Sequence, residues 1–343
     1  MDNSEAWQML SGILQAAQMI PPAQRAAPGS LPLTVIGGFL GAGKTTLVNN
    51  LLNAPHGRRL AVLVNDFGSV NIDAALIRTR TEDTISLANG CACCSVAGDL
   101  TRTLIELAQR DEPPEGIVLE ASGLADPRGI AQVALANPAL RLDGVVTLVD
   151  AETLFEHAAD PAARATFLAQ LTAADVIVLN KLDLVSAQMA DATRAWLQRE
   201  HAGRPIVEAV QSNIPVEIAL GIHSEREFPR SPTPDPEHAN AYQSWSVTDD
   251  MMLDGNRVRE MMDALSAGVV RAKGILWLAS DPDHRTVYQR VGARWSFTTA
   301  GRWDNDAPRS SLVVIGLRSS LQQPELEDRF DACRARLSSW TGE

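Results

Sequence analysis

The stretch Gly38-Phe39-Leu40-Gly41-Ala42-Gly43-Lys44-Thr45 has the spacing G-x-x-x-x-G-K-[ST]. In this pattern glycines let backbone N–H groups close on phosphate oxygens, and a helix start behind them adds partial positive charge. It follows the apolar, β-branched run Leu33–Ile36 and precedes the apolar-periodic segment Thr46–Leu52, so it sits in the strand–loop–helix setting this chemistry needs. Gly38, Gly41, Ala42, Gly43 and Thr46 are expected to line the phosphates. Lys44 should place a point charge on the β- and γ-phosphates, and Thr45 should offer its hydroxyl to Mg²⁺.

A second set of residues, Asn180-Lys181-Leu182-Asp183, follows the buried run Val176–Leu179. The Asp183 carboxylate can accept from the ring N1–H and the exocyclic amine of guanine, a donor pair that adenine does not present together. Asn180 can bond the base edge, and the stem of Lys181 can lie over the ring. The expected nucleotide is therefore GTP or GDP. A third set, Glu120-Ala121-Ser122-Gly123-Leu124-Ala125-Asp126-Pro127, ends another apolar run. There Glu120 can position water or Mg²⁺, and Ser122 and Gly123 can approach the γ-phosphate. Asp126, directly before Pro127, reads equally well as a helix cap. The segment Asn65–Asp73 has the composition of a switch, with Asp66 near its start as a candidate catalytic carboxylate.

Three of the four cysteines, Cys91, Cys93 and Cys94, fall within four positions. Thiolates are soft ligands suited to zinc, and a C-x-C pair lets two sulfurs reach one ion from a turn. A vicinal disulfide is strained and disfavoured in a reducing compartment. A redox pair from Cys91 to Cys94, or a set of inert buried thiols, are the other readings. Cys333, alone near the end of the chain, reads as a small core residue.

These residues need a scaffold that brings strand ends together. The short apolar runs Leu33–Ile36, Leu60–Val64, Gly116–Leu119, Val145–Val149 and Val176–Leu179 lack polar alternation, as strands covered on both faces do. Separated by helical stretches, they predict an α/β domain with a mostly parallel, doubly wound sheet over residues 31–221. Four prolines between Pro229 and Pro236 mark residues 222–241 as a linker. A smaller α+β domain over 242–343 is expected to hold strands at Tyr242–Val247, Val269–Leu278, Thr286–Val291, Ala293–Thr298 and Leu312–Leu317. Its helices are expected at Asn256–Leu265 and Pro324–Leu337. Residues 1–30 are read as a helix with the apolar stripe Trp7, Leu10, Ile13, Leu14 and Ala17, followed by a linker. That helix packs on the main domain or docks a partner.

Thirty Lys and Arg against forty-two Asp and Glu in 343 residues leave a net charge of −12. That field repels nucleic acid and anionic membrane, so a polyphosphate has to be gripped locally. No apolar run reaches the roughly 20 residues that span a bilayer. The first residues, Met1-Asp2-Asn3-Ser4-Glu5, carry no positive charge of the kind that opens a secretory signal, so a cytoplasmic location is expected.

Jointly, Gly38–Thr45, Asn65–Asp73, Cys91–Cys94, Glu120–Pro127 and Asn180–Asp183 resemble the CobW-type P-loop GTPases, a metal-handling family related to the GTPases that load nickel into urease and hydrogenase. Arg271–Ala279, Trp303 and Leu312–Gly316 are similar to the family's second domain. The resemblance implies a GTP-hydrolysing metallochaperone or metal insertase with zinc or cobalt on the cysteines, and hydrolysis is expected to be slow because no arginine is clearly placed as a finger in cis. It also implies an unidentified client metalloenzyme and a monomeric or homodimeric state. The switch departs from the E-N-E-F-G-E pattern of some members, with Val64, Asp66 and Ser69 at the acidic positions, and six histidines are too few for metal storage. A zinc-sensing scaffold, or a P-loop ATPase or kinase, is the alternative.

Overall fold

The computed structural model describes residues 30–55, 57–64, 84–86, 103–221, 241–303 and 307–335. The expectations for the N-terminal helix and its linker, Asp66, the switch, Cys91, Cys93 and Cys94 lie outside these residues, as does the proline-rich linker but for residue 241.

The apolar runs form one all-parallel sheet from β1 (Leu31–Gly38), β2 (Leu60–Val64), β3 (Thr84–Ser86), β4 (Gly116–Glu120), β5 (Leu140–Asp150), β6 (Val176–Asn180) and β7 (Ile206–Glu208), in the order β3-β2-β4-β1-β5-β6-β7. Alternate side chains feed opposite faces. Val62, Val118, Val146 and Val178 pack under α1 (Lys44–Asn53), whereas Leu63, Ile117, Leu119 and Val145 pack with Leu104 and Leu107 and with α2 (Pro127–Ala136). Val149, Ile177 and Leu179 meet α4 (Arg164–Ala173) and α5 (Ala187–Glu200). The doubly wound reading holds. The strand order reverses direction at β1, so the loop that leaves β1 opens into the crevice where ligands bind in such sheets.

The second sheet is antiparallel, in the order β11-β10-β9-β12-β8, from β8 (Tyr242–Asp249), β9 (Val269–Leu278), β10 (Asp281–Val291), β11 (Arg294–Arg302) and β12 (Ser310–Leu317). Its outer face is closed by α7 (Gly255–Asp263) and α8 (Gln323–Ala332) over Leu276, Tyr288, Leu312 and Phe330. Cys333 is buried in this core, as its isolation in sequence suggested.

Several boundaries differ from the sequence reading. β3 and β7 were not expected, because three residues such as Ile206-Val207-Glu208 carry too little pattern. β10 and β11 run several residues beyond their apolar stretches, since a hairpin continues pairing whatever its side chains. α8 ends at Ala332 rather than at residue 337. There Ala335 donates its backbone N–H to the Met252 carbonyl (2.8 Å), and the Arg334 guanidinium pairs with Asp249 (2.8 Å), drawing the chain off the helix axis.

The two sheets share apolar packing. Val146, Val176 and Leu220 fall in one buried cluster with Tyr242, Val270, Val291, Val313 and Ile315. Arg271 of β9 is buried at this junction and donates to the Asp143 carboxylate (2.9 Å) and to the carbonyls of Asp143 (3.0 Å), Ile218 (2.9 Å) and Ala219 (2.7 Å). Arg294 grips both carboxylate oxygens of Asp175 at the start of β6 (2.8 and 3.2 Å). These contacts lie at the opposite end of β5 and β6 from the phosphate loop.

Candidate functional site

β1 runs into the glycine loop and α1 leaves it, so the loop is strung between a buried strand and a helix N-terminus. Gly38, Gly41 and Gly43 have φ of 135°, 76° and 105°. A side chain on Gly38 would meet the Leu148 carbonyl, and one on Gly43 would meet Asn180 Nδ2 and Ser212 Oγ, each at 2.5 Å. Glycine is required at both for conformation and for space. Ala42 is buried beneath the loop, while Gly41 and Thr46 face outward. Lys44 is only 6% exposed and its Nζ donates to the Phe39 carbonyl across the loop (3.1 Å).

Glu120 ends β4 beside the first turn of α1. The Thr45 hydroxyl donates to its carboxylate (2.8 Å), and Glu120 is 2% exposed. A hydroxyl and a buried carboxylate in contact are both hard oxygen donors, the set that suits Mg²⁺ beside phosphates. Ser122 and Gly123 follow, both buried, with Gly123 packed on Leu40 of the loop. Asp126 is the N-cap of α2, its side chain accepting from the Arg128 backbone N–H (2.9 Å) with Pro127 in the first turn. The helix-cap reading of Asp126 is therefore the one realised.

β6 delivers Asn180 to the same edge, but buried. Its Nδ2 donates to the Ala42 carbonyl (3.0 Å) and to Ser212 Oγ (2.8 Å), and its Oδ1 accepts from the Ser212 backbone N–H (2.8 Å). Asn180 thus braces the phosphate loop. Lys181 adopts φ 63°, a left-handed conformation uncommon away from glycine, and its Nζ pairs with Asp150 at the end of β5 (2.6 Å). Asp183 lies exposed on the short 3-10 turn that follows. Gly38–Thr45, Glu120, Gly123 and Asn180 are joined by these contacts; Lys181 turns to Asp150, and Asp183 follows it exposed in the chain.

Sequence reasoning missed the turn after β7. Gln211 and Ser212 have φ of 50° and 55°, Ser212 Oγ donates to the Gly43 carbonyl (2.9 Å), and Asn50 of α1 donates to the carbonyls of Gln211 (3.0 Å) and Ser212 (3.2 Å). The one signal for it was position, a loop at the carboxyl end of the last parallel strand.

Residues 32–208 match the CobW/HypB/UreG nucleotide-binding domain, and residues 242–334 match the cobalamin synthesis protein cobW C-terminal domain. The chain belongs to the CobW/HypB/UreG family. Its first domain is a P-loop GTPase domain. It is 32% identical over 338 residues to the zinc chaperone CobW of Sinorhizobium sp, covering 85% of this chain and 94% of that one. To the zinc chaperone YjiA of Escherichia coli K12 it is 31% identical over 323 residues, 89% of this chain and 99% of that one. The zinc-regulated GTPase metalloprotein activator 1 of Dictyostelium discoideum is 29% identical over 345 residues, 85% and 72% of the two chains. The crystal structure of Zn(II)-bound YjiA GTPase aligns over 89% of this chain and 99% of that chain, at 25% identity and a TM-score of 0.42. Among the described residues no helix is long and apolar enough to cross a membrane, and no three His, Cys, Asp or Glu side chains are grouped to hold a metal.

Proposed function

We propose that this chain is a nucleotide-gated metal carrier, in which hydrolysis of GTP controls whether the C-x-C-C thiolates hold or release a transition metal for a client metalloprotein. The observation that carries the nucleotide half is the contact between Thr45 and Glu120 beside the buried Lys44. Three different strand ends meet there, on the glycine loop between β1 and α1. In this reading Lys44 and the loop amides bind the phosphates, and Asn180 and Ser212 keep the loop in shape. Lys181 and Asp183 recognise guanine, and Ser122 and Gly123 meet the γ-phosphate. Thr45, with Glu120 behind it, would hold Mg²⁺, which would neutralise phosphate charge when bound.

The metal half is supported by the sequence Cys91-Ala92-Cys93-Cys94, whose soft sulfurs suit zinc or cobalt, and by relatives named zinc chaperones. In this reading Asp66, the acidic residue early in the switch sequence, serves either the Mg²⁺ or the thiolate site. GTP would order the segment that carries these thiolates, and hydrolysis would relax it, the usual control of switch order by a γ-phosphate. Coupling is reciprocal, so metal changes GTP affinity by the factor by which GTP changes metal affinity. The test is competition with a chromogenic chelator for zinc and for cobalt in the nucleotide-free, GDP and non-hydrolysable GTP-analogue states. Tighter metal in one nucleotide state is expected, and identical affinity in all three rules out gating.

A further inference from the structure

We propose that Gln170, on α4, is a positioning residue for the phosphate end of the site, holding the Ser122–Gly123 turn where it can respond to the terminal phosphate of GTP. This rests on the reading of that turn given under Proposed function. Gln170 is 1% exposed, and its Nε2 donates to the carbonyls of Gly123 (2.9 Å) and Ala125 (3.0 Å), so both amide protons serve one turn. Its Oε1 is buried with no hydrogen-bond partner among the described residues. A methionine would fill the same space without leaving that oxygen unsatisfied, so packing alone does not select an amide here.

The other side of Gly123 faces the phosphate loop. A Cβ added to it would fall 2.9 Å from the Leu40 backbone nitrogen and 2.5 Å from the Leu40 side chain. Gly123 is therefore pressed between the loop that takes the nucleotide and the amide that holds the turn. The holder is itself fixed: Phe167 and Leu171 of α4 are buried, and the Thr147 hydroxyl of β5 donates to the Gln170 carbonyl (3.2 Å). Any excursion of Gly123 has to break bonds to a rigid helix, so Gln170 sets how fully the turn occupies its phosphate-ready position. GDP lacks the phosphate that reaches this turn, and its binding does not depend on Gln170.

Gln170→Met keeps the length and removes both donors, while Gln170→Glu keeps the shape and sets a carboxylate against two carbonyls. In the full-length protein, the affinities for GDP and for a non-hydrolysable GTP analogue are measured with the melting temperature, kcat and KM. GDP affinity should stay within about twofold, and the preference for the GTP analogue should fall by about tenfold, the scale of losing one or two hydrogen bonds. A merely structural role would weaken both nucleotides together in step with the melting temperature. An unchanged or increased preference in whichever variant folds overturns the proposal. Lys44→Ala separates the two readings. If it leaves both affinities intact, the phosphate-site reading falls and this proposal with it; if it weakens both while Gln170→Met leaves the preference unchanged, only the role of Gln170 falls.

Discussion

Asn180 and Ser212 hold each other through reciprocal hydrogen bonds, Nδ2 to Oγ and backbone N–H to Oδ1, both 2.8 Å. The same two side chains reach the carbonyls of Ala42 and Gly43, so the end of β6 and the turn after β7 share the duty of fixing the phosphate loop. Asn180→Ala leaves a buried N–H and a buried carbonyl unsatisfied, which should weaken GDP by roughly 1–3 kcal/mol. Ser212→Ala removes the hydroxyl alone and should cost about 1 kcal/mol. Calorimetric titration of GDP into the two variants checks the order; equal affinity in both and in the parent protein would refute the brace.

The contact between Thr45 and Glu120 separates charge from hydrogen bonding. Glu120→Gln still accepts from the hydroxyl but removes the negative charge, so the Mg²⁺ concentration for half-maximal hydrolysis should rise and kcat should drop by about 10²-fold. GDP binding without Mg²⁺ should barely change. An Mg²⁺ titration of hydrolysis that overlays the parent curve would remove Glu120 from the ion's surroundings.

Burial pushes the Cys333 thiol up to about 11, so it is protonated and unreactive at neutral pH. Thiol labelling of the native metal-free protein should therefore modify Cys91, Cys93 and Cys94 and spare Cys333 until the chain unfolds. Zinc should protect the three, and Cys91→Ser/Cys93→Ser should abolish tight zinc binding. Zinc retained at full stoichiometry in that double variant would move the metal site elsewhere.

Arg271 and Asp143 are a buried pair, with side chains 4% and 9% exposed. Asp143→Ala strands the guanidinium and should destabilise by about 3–5 kcal/mol, whereas Asp143→Leu with Arg271→Met should lose less than the single change. Because the sheets share apolar packing, urea unfolding followed by tryptophan fluorescence, to which Trp245, Trp277, Trp295 and Trp303 of the second domain contribute, should coincide with loss of nucleotide. Two separated transitions would contradict the shared core.

His201 packs near Trp196, its ring held below its ordinary pKa first by burial and then by Arg204. The folded state thus binds a proton less readily than the unfolded chain. Stability from this group is complete above the unfolded value near 6.5 and declines as pH falls below it. His201→Gln should flatten the decline of the melting temperature as pH falls below 6.5; an unaltered slope would assign the acid sensitivity to other groups.

The parallel sheet, the phosphate loop and the positions of Glu120 and Asn180 were legible because each depends on local pattern: a β-branched run, then a spacing. The task of Asn180 was not. A side chain ending a strand reads as pointing to ligand, and only the fold shows Ser212 arriving from another strand to occupy it. Gln170 was invisible for a related reason. One polar residue in an amphipathic helix reads as surface, and its partners lie far away in sequence across a crossover. Cys333 was read correctly because a cysteine standing alone, with no second thiol near it in sequence, is most often a small core residue.

The shared core has a consequence for how this protein is made. Even Leu220, made after Val146 and Val176, waits for Val270, Val291, Val313 and Ile315, the last of which leaves the ribosome roughly a hundred residues later. At about 5–20 residues per second, the floor of the GTPase domain stands bare for roughly 5–20 s during synthesis. Nascent chains stalled before β12 should bind a hydrophobic-patch chaperone, and those released after it should not.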